Sequence, residues 1–212
     1  MKKVLVLGSI VACMVAVAMP IVAQDDKPKA GAGQPAGDDM MKKMMEECAK
    51  YAAPGEFHSH LKPLVGKWTC QGRFRFVPDA PWEESKSECT TEWMLGDRFV
   101  ATKVSGDPMP GMPTPFEGFG VMGYDNFQKK YVSIWMDNMS TMIMHATGEC
   151  DANGKTITFM GKFPDPMQDG KETWMKTTYR IQGNDRYSME MSGPGPDGKE
   201  FTCMTLNYTR SK

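Results

Sequence analysis

Two cations in the stretch "WMKTTYRI" raise the question of chemistry, because Lys176 and Arg180 share a parity with several apolar residues. A charge removed from water needs a partner, so an inward Lys176 and Arg180 would call for a ligand carboxylate or an interior acid. A shift of that strand by one residue turns both to solvent and brings Tyr179 inside instead, and the sequence leaves both registers open. Asp107, Asp165 and Asp197 stand in Asp-Pro and Asp-Gly dipeptides. They could meet as paired carboxylates, but such dipeptides are also ordinary turn chemistry, and the turn reading prevails. With no Gly-x-Ser-x-Gly elbow, HExxH motif or phosphate loop, no catalytic residue is assigned. The clusters "DDMMKKMMEEC", "MPGMP" and "MSTMIMH" gather thioethers that would suit copper(I). Yet Met142 and Met144 share a parity that His145 lacks, and the first cluster has the helical spacing of a packing face. No metal and no cofactor is expected. His58 and His60 point apart on a short helix and read as solvated.

From Gly66 to Arg210 the chain is a series of strand-like runs separated by turn signals such as Asn126, Asn153-Gly154, Gly183-Asn184 and Asp197-Gly198. Ten strands are predicted, at 66–76, 83–94, 98–105, 116–124, 129–137, 140–150, 155–163, 171–181, 186–193 and 199–209. Short links favour an up-and-down antiparallel meander, and a sheet this long curls or closes to remove its edges. The fold class is therefore all-β: a ten-stranded antiparallel up-and-down barrel behind a short N-terminal helical lid. Successive connections alternate between the two ends. One end collects short turns and forms a floor under the lid, while the other collects proline-rich loops and forms an open rim.

Pairing through the hairpins gives an inward face. Around Asn138-Met139, Trp135 is expected opposite Met142 and Tyr131 opposite Ala146. Around Asn153-Gly154, Cys150 is expected opposite Ile157, Gly148 opposite Phe159 and Met144 opposite Phe163. The predicted lining of a cavity for a small apolar or amphipathic ligand is Trp135, Met142, Met144, Phe159, Trp174, Lys176, Arg180, Met189, Met191 and Met204. The plainer alternative is a filled core with methionine as gap filler. Ten strands enclose more space than a smaller barrel, because diameter grows with strand number. In the first hairpin Cys70 and Cys89 lie equally far from the loop centre on the face of Trp68, Phe74 and Trp93, so a disulfide between them is open. Arg73 and Arg75 are expected to point to water.

The N-terminus, "MKKVLVLGSIVACMVAVAMPIVAQDD", has two lysines, an apolar run and then acid, the layout of a secretory signal ending at Ala23. Ile10-Val11-Ala12-Cys13 also resembles a lipid-anchor box, the less favoured reading. Residues 1–23 are thus read as a signal peptide, 24–38 as a flexible linker, 39–65 as a helical segment and lid, and 66–212 as the barrel. The protein is expected to be exported, periplasmic or secreted, with no integral membrane span in the mature chain. A formal charge of −1 argues against nucleic acid, which needs a basic face. Cleavage leaves Cys48, Cys70, Cys89, Cys150 and Cys203, an odd set that defines no disulfide framework.

A Gly-x-Trp pair opening the first strand after a helical lid, in "LVGKWTC", resembles the calycin barrels: lipocalins, fatty-acid-binding proteins and nitrobindins. That resemblance implies a basic residue late in the chain against the tryptophan, and Arg210 has the parity to reach Trp68. Nitrobindins hold haem through a histidine on a late strand, a position absent here, where the histidines are His58, His60 and His145. "LVGKWTC", "GYDNFQKKYVSIWMDNMST" and "MKTTYRI" are more closely similar to an exported bacterial family catalogued as domain of unknown function 1579, over roughly Glu56 to Arg210. The function expected is a binding module for a small apolar or amphipathic ligand. Alternatives are an enzyme using rim carboxylates, or a structural or protein-binding barrel of the envelope that presents Met112 and Phe116.

Overall fold

The computed structural model describes residues 35–165 and 168–212, so the expected signal peptide and most of the linker lie outside the described residues. Helix α1 spans Pro35–Ala52. It begins before the expected Asp39 cap, with Pro35 in the first turn, where its fixed φ suits a helix start. Residues 35–38 are therefore helical rather than linker. The described part of one compact unit, ending at Lys42, is the opening of this helix; the other unit runs from Lys43 to Lys212. Within the second, Tyr51 stacks on Phe127 with ring centroids 3.9 Å apart. Asn126 donates from Nδ2 to the carbonyls of Tyr51 and Ala53. Pro54 separates α1 from the lid, which consists of α2 (Glu56–Ser59) and a 3-10 turn (Lys62–Leu64).

The wall contains β1 (Gly66–Phe74), β2 (Glu83–Met94), β3 (Phe99–Gly106), β4 (Phe116–Asp125) and β5 (Lys130–Asp137). It continues through β6 (Met144–Cys150), β7 (Thr156–Asp165), β8 (Lys171–Ile181), β9 (Arg186–Pro194) and β10 (Glu200–Arg210). Each strand pairs antiparallel with its sequence neighbours, and β1 pairs with β10 to close the barrel. The expected meander is observed. β6 starts at Met144 rather than 140, because the link from β5 is tied by its own turns: Asp137 accepts from the Met139 amide, and Ser140 Oγ accepts from the Met142 amide.

The lid lies at the end with the short turns. Leu61 and Leu64 are buried in the core with Trp68, Tyr131, Ile157 and Phe159. Trp68 Nε1 donates to the Leu64 carbonyl at 2.8 Å, and the Arg210 guanidinium lies 4.1 Å above the Trp68 ring. Arg210 also donates to the carbonyls of Val65, Pro63 and Asn184, so it joins lid, floor and the β8–β9 turn. Gly66 has φ +135, and a Cβ there would meet the Arg210 guanidinium. Its missing side chain is what lets the cation sit over the indole.

Both lid histidines are structural rather than solvated. His58 is buried, and its Nδ1 accepts from the Gly55 amide at 3.0 Å. Burial, helped by the charge of Arg98, lowers its pKa. His60 Nδ1 lies 2.7 Å from the Tyr131 hydroxyl, which donates to the Phe57 carbonyl. A histidine pair on a single short helix looks surface-bound until the barrel end covers it.

Cys70 pairs with Ser87 and Cys89 with Trp68, so the two thiols are staggered by one pair of residues rather than opposed. All five described cysteines are free, and the Cys70–Cys89 disulfide is not formed. The link between β1 and β2 is not symmetric about its midpoint, which is why equal spacing misleads here. Burial, with Cys70 beside it, pushes the Cys89 thiol up to about 12. A thiol with a raised folded pKa holds its proton longer in the native state, so its contribution is intact below pH 9 and is lost as pH climbs toward 12. Through this thiol alone, stability is expected to fall by about 1.4 kcal/mol per pH unit in that window. Urea unfolding of the wild type and Cys89→Ala across the alkaline range measures it; equal slopes in both proteins would contradict the assignment.

Candidate functional site

Register fixes which side chains enter the barrel. Trp135 faces Met144 across β5–β6, and Tyr131 faces Gly148, a shift of two residues from the expected pairing. Parity survives that shift, but Met142 drops out of the wall into the connecting loop. The β6–β7 register agrees with expectation: Gly148 pairs with Phe159 and Cys150 with Ile157.

β8 is turned over relative to the first of its two readings. Ile181 pairs with Tyr187 and Tyr179 with Met189, so Tyr179, Thr177 and Met175 share the inward parity. Trp174, Lys176 and Arg180 lie on the outer face. Lys176 forms an ion pair there with Glu200, and Arg180 is exposed. The cause is the β8–β9 turn. The Gln182 amide donates to the Arg186 carbonyl around a three-residue loop in which Gly183 takes φ +129. A two-residue Gly183-Asn184 turn would have given the opposite parity.

The interior is graded along the barrel axis. At the floor, Trp68, Cys70, Val100, Tyr131, Ile157, Phe159, Tyr187 and Met189 are buried. Phe159 and Met189, both expected in a cavity lining, are therefore core. Toward the rim, the inward Phe116, Trp135, Met144, Met175, Met191 and Met204 are all only half-buried. Trp135 lies flat on β4, where a Cβ at Gly120 would fall 2.9 Å from its ring and one at Gly118 would also strike it. Its Nε1 donates to Asp137 Oδ2 at 2.9 Å, and Phe116 stacks beside it. Gly118 and Gly120, two apart on one strand, are the sequence signal that a large ring covers that stretch. Met175 and Thr177 face inward only in the β8 register that the sequence leaves open against its alternative.

Few charged residues share the inward parity toward the rim. The rim aspartates serve turns: Asp165 Oδ2 accepts from Gln168 and Asp197 Oδ1 from the Lys199 amide, while the Asp107 amide donates to the Lys86 carbonyl. Arg73 and Arg75, expected in open water, instead flank Trp82 at 4.6 and 4.4 Å. Among the described residues there is no cluster of three or more histidine, cysteine or acidic side chains that could hold a metal. Outside the wall, Phe99, Val121, Val132, Ile134 and Met160 line a shallow apolar groove of about 430 Å³ bordered by His145 and Lys162.

A closed ten-stranded antiparallel wall, plugged by a Gly-x-Trp pair under a late arginine, defines a calycin-like barrel. The chain belongs to the family described as protein of unknown function DUF1579, whose model matches residues 53–210. Among solved structures it is similar to Rv2717c from M. tuberculosis, at 16% identity and TM-score 0.52, over 76% of this chain and 100% of that one. A redesigned beta barrel aligns at 12% identity and TM-score 0.37, over 72% of this chain and 96% of that one. Among curated proteins none matches significantly. Among the described residues no helix is long and apolar enough to cross a membrane.

Proposed function

We propose that the protein is an exported binding barrel that admits a small apolar or amphipathic molecule through the rim into the upper half of its interior. The observation that carries this reading is the gradient of burial. Most inward side chains at the floor are buried, with Trp93, Cys150 and Ile181 half-buried among them, whereas at the rim Phe74 is buried but Phe116, Trp135, Met144, Met175, Met191 and Met204 remain half-exposed. Side chains facing into a filled core would be buried along the whole axis. The lining is aromatic and thioether-rich with few charges, which suits an apolar body, and methionine adapts to varied shapes. Asp137, Thr177 and Ser133 supply the few polar atoms that could orient a head group. The leader layout of residues 1–23 supports export, and a mature chain beginning at Gln24 by mass spectrometry is the expected result.

A naphthalene-sulfonate dye is expected to brighten in the barrel, to take energy from Trp135 and to be displaced by added lipid. Trp135→Phe should remove most of the energy transfer while leaving the fold intact. A dye response that Trp135→Phe leaves unchanged would move binding elsewhere, for example to the outer groove, and overturn the reading.

A further inference from the structure

Helix α1 carries its apolar side chains in the open. Met41, Met44 and Met45 are 45%, 37% and 45% exposed, and Cys48 completes the same stripe one turn on. Three methionines and a cysteine at this helical spacing form a seam that stays largely exposed among the described residues. The charges beside the seam favour one occupant. The segment reads Lys42-Lys43-Met44-Met45-Glu46-Glu47, two bases and two acids set symmetrically about a methionine pair. Laid against a second copy running the opposite way, Lys42 and Lys43 of each helix face Glu46 and Glu47 of the other. Laid parallel and in register, lysine would face lysine and glutamate face glutamate. Within one helix, a lysine four residues before a glutamate is the weaker ion-pair order, so these charges gain little from each other in isolation.

We propose that α1 is a self-association element, in which two copies of this chain pair their α1 helices antiparallel along the Met41–Met44–Met45–Cys48 stripe. Met44 and Met45 occupy the centre, and Met41 of each helix lies opposite Cys48 of the other. The charge balance disfavours a lipid surface as the occupant. Residues 38–50 hold three lysines against four acids, whereas a membrane-surface helix is rich in lysine and arginine on its polar face. The seam is only about two turns long, and interfaces that small support reversible rather than permanent association. This inference is independent of the ligand reading, since it uses no residue of the barrel interior.

Disulfide trapping in the full-length chain tests both partner and direction. In the antiparallel pair the two Cys48 residues are separated by about 10 Å along the axis, too far to bridge. Under mild oxidation the wild type should therefore stay uncrosslinked, and Met41→Cys should give a covalent dimer on a non-reducing gel. Adding Cys48→Ser to Met41→Cys should abolish that dimer. Lys42→Glu with Lys43→Glu, placed in the Met41→Cys background, should lower the yield severalfold. Adding Glu46→Lys with Glu47→Lys to the same chain should restore it, a rescue that a folding defect would not give. A wild-type dimer linked through Cys48 would overturn the antiparallel arrangement. Absence of trapping in Met41→Cys, or a yield indifferent to the charge reversal, would overturn the association itself.

Discussion

Trp68→Ala is expected to cost about 3–5 kcal/mol, the largest effect of any single side-chain truncation in the molecule. That is a large share of the roughly 5–15 kcal/mol that holds an ordinary domain together. Three losses coincide at this position. The ring is 1% exposed and meets Tyr187 edge-on at 4.7 Å, so its removal opens a cavity against packed neighbours. The Leu64 carbonyl loses the Nε1–H that satisfies it. The Arg210 guanidinium loses the π face beneath it and is left above a void, held by carbonyls and by the Asp185 carboxylate. Trp68→Phe keeps much of the buried area and removes the donor, so it should fall between wild type and alanine. Equilibrium unfolding in urea separates the three proteins by midpoint. A Trp68→Ala barrel with an unshifted midpoint would show that the floor plug does not bear the load assigned to it.

Gly148→Val should be nearly as severe, for the opposite reason of too much matter rather than too little. Gly148 sits on β6 between Tyr131 and Phe159. A Cβ there would lie 2.5 Å from the Thr158 carbonyl oxygen and 3.1 Å from the Phe159 Cα. Both are backbone atoms fixed by ladder hydrogen bonds, so no rotamer change relieves the contact. Overpacking a rigid site typically costs about 1–3 kcal/mol, and a branched side chain against backbone should reach or pass the upper end. The expected readouts are a lower thermal midpoint and faster amide exchange in β6 and β7, with β1 and β2 less affected. By contrast Gly111, with open space around it, should accept alanine with only the cost of its positive φ.

The wall was legible because its signals are local. The ends of β2 and β8 coincide with the expected ranges, and the Asn153-Gly154 turn delivered the Cys150–Ile157 register, since Gly154 takes the positive φ that such a turn requires. The Trp68–Arg210 contact came from resemblance and parity together, and it is present. What stayed hidden depended on single-residue details. One additional residue in the Gly183 loop inverted β8, turning Lys176 outward to Glu200 and Tyr179 inward. Asymmetry in the long β1–β2 link displaced Cys70 from Cys89. His58 and His60 lacked any local mark of burial, because their partners, Tyr124 and Tyr131, arrive from strands far along the chain.

The first and last strands are neighbours, with Trp68 beside Arg210. During synthesis the growing chain thus carries two raw sheet edges until its final residues emerge, and only then can the ring zip shut. Contacts between such distant positions make for slow folding and long exposure to sticking. Loss of a few C-terminal residues would therefore trim more than a tail: it would leave an unsealed sheet that a quality-control protease or a neighbouring chain would meet first.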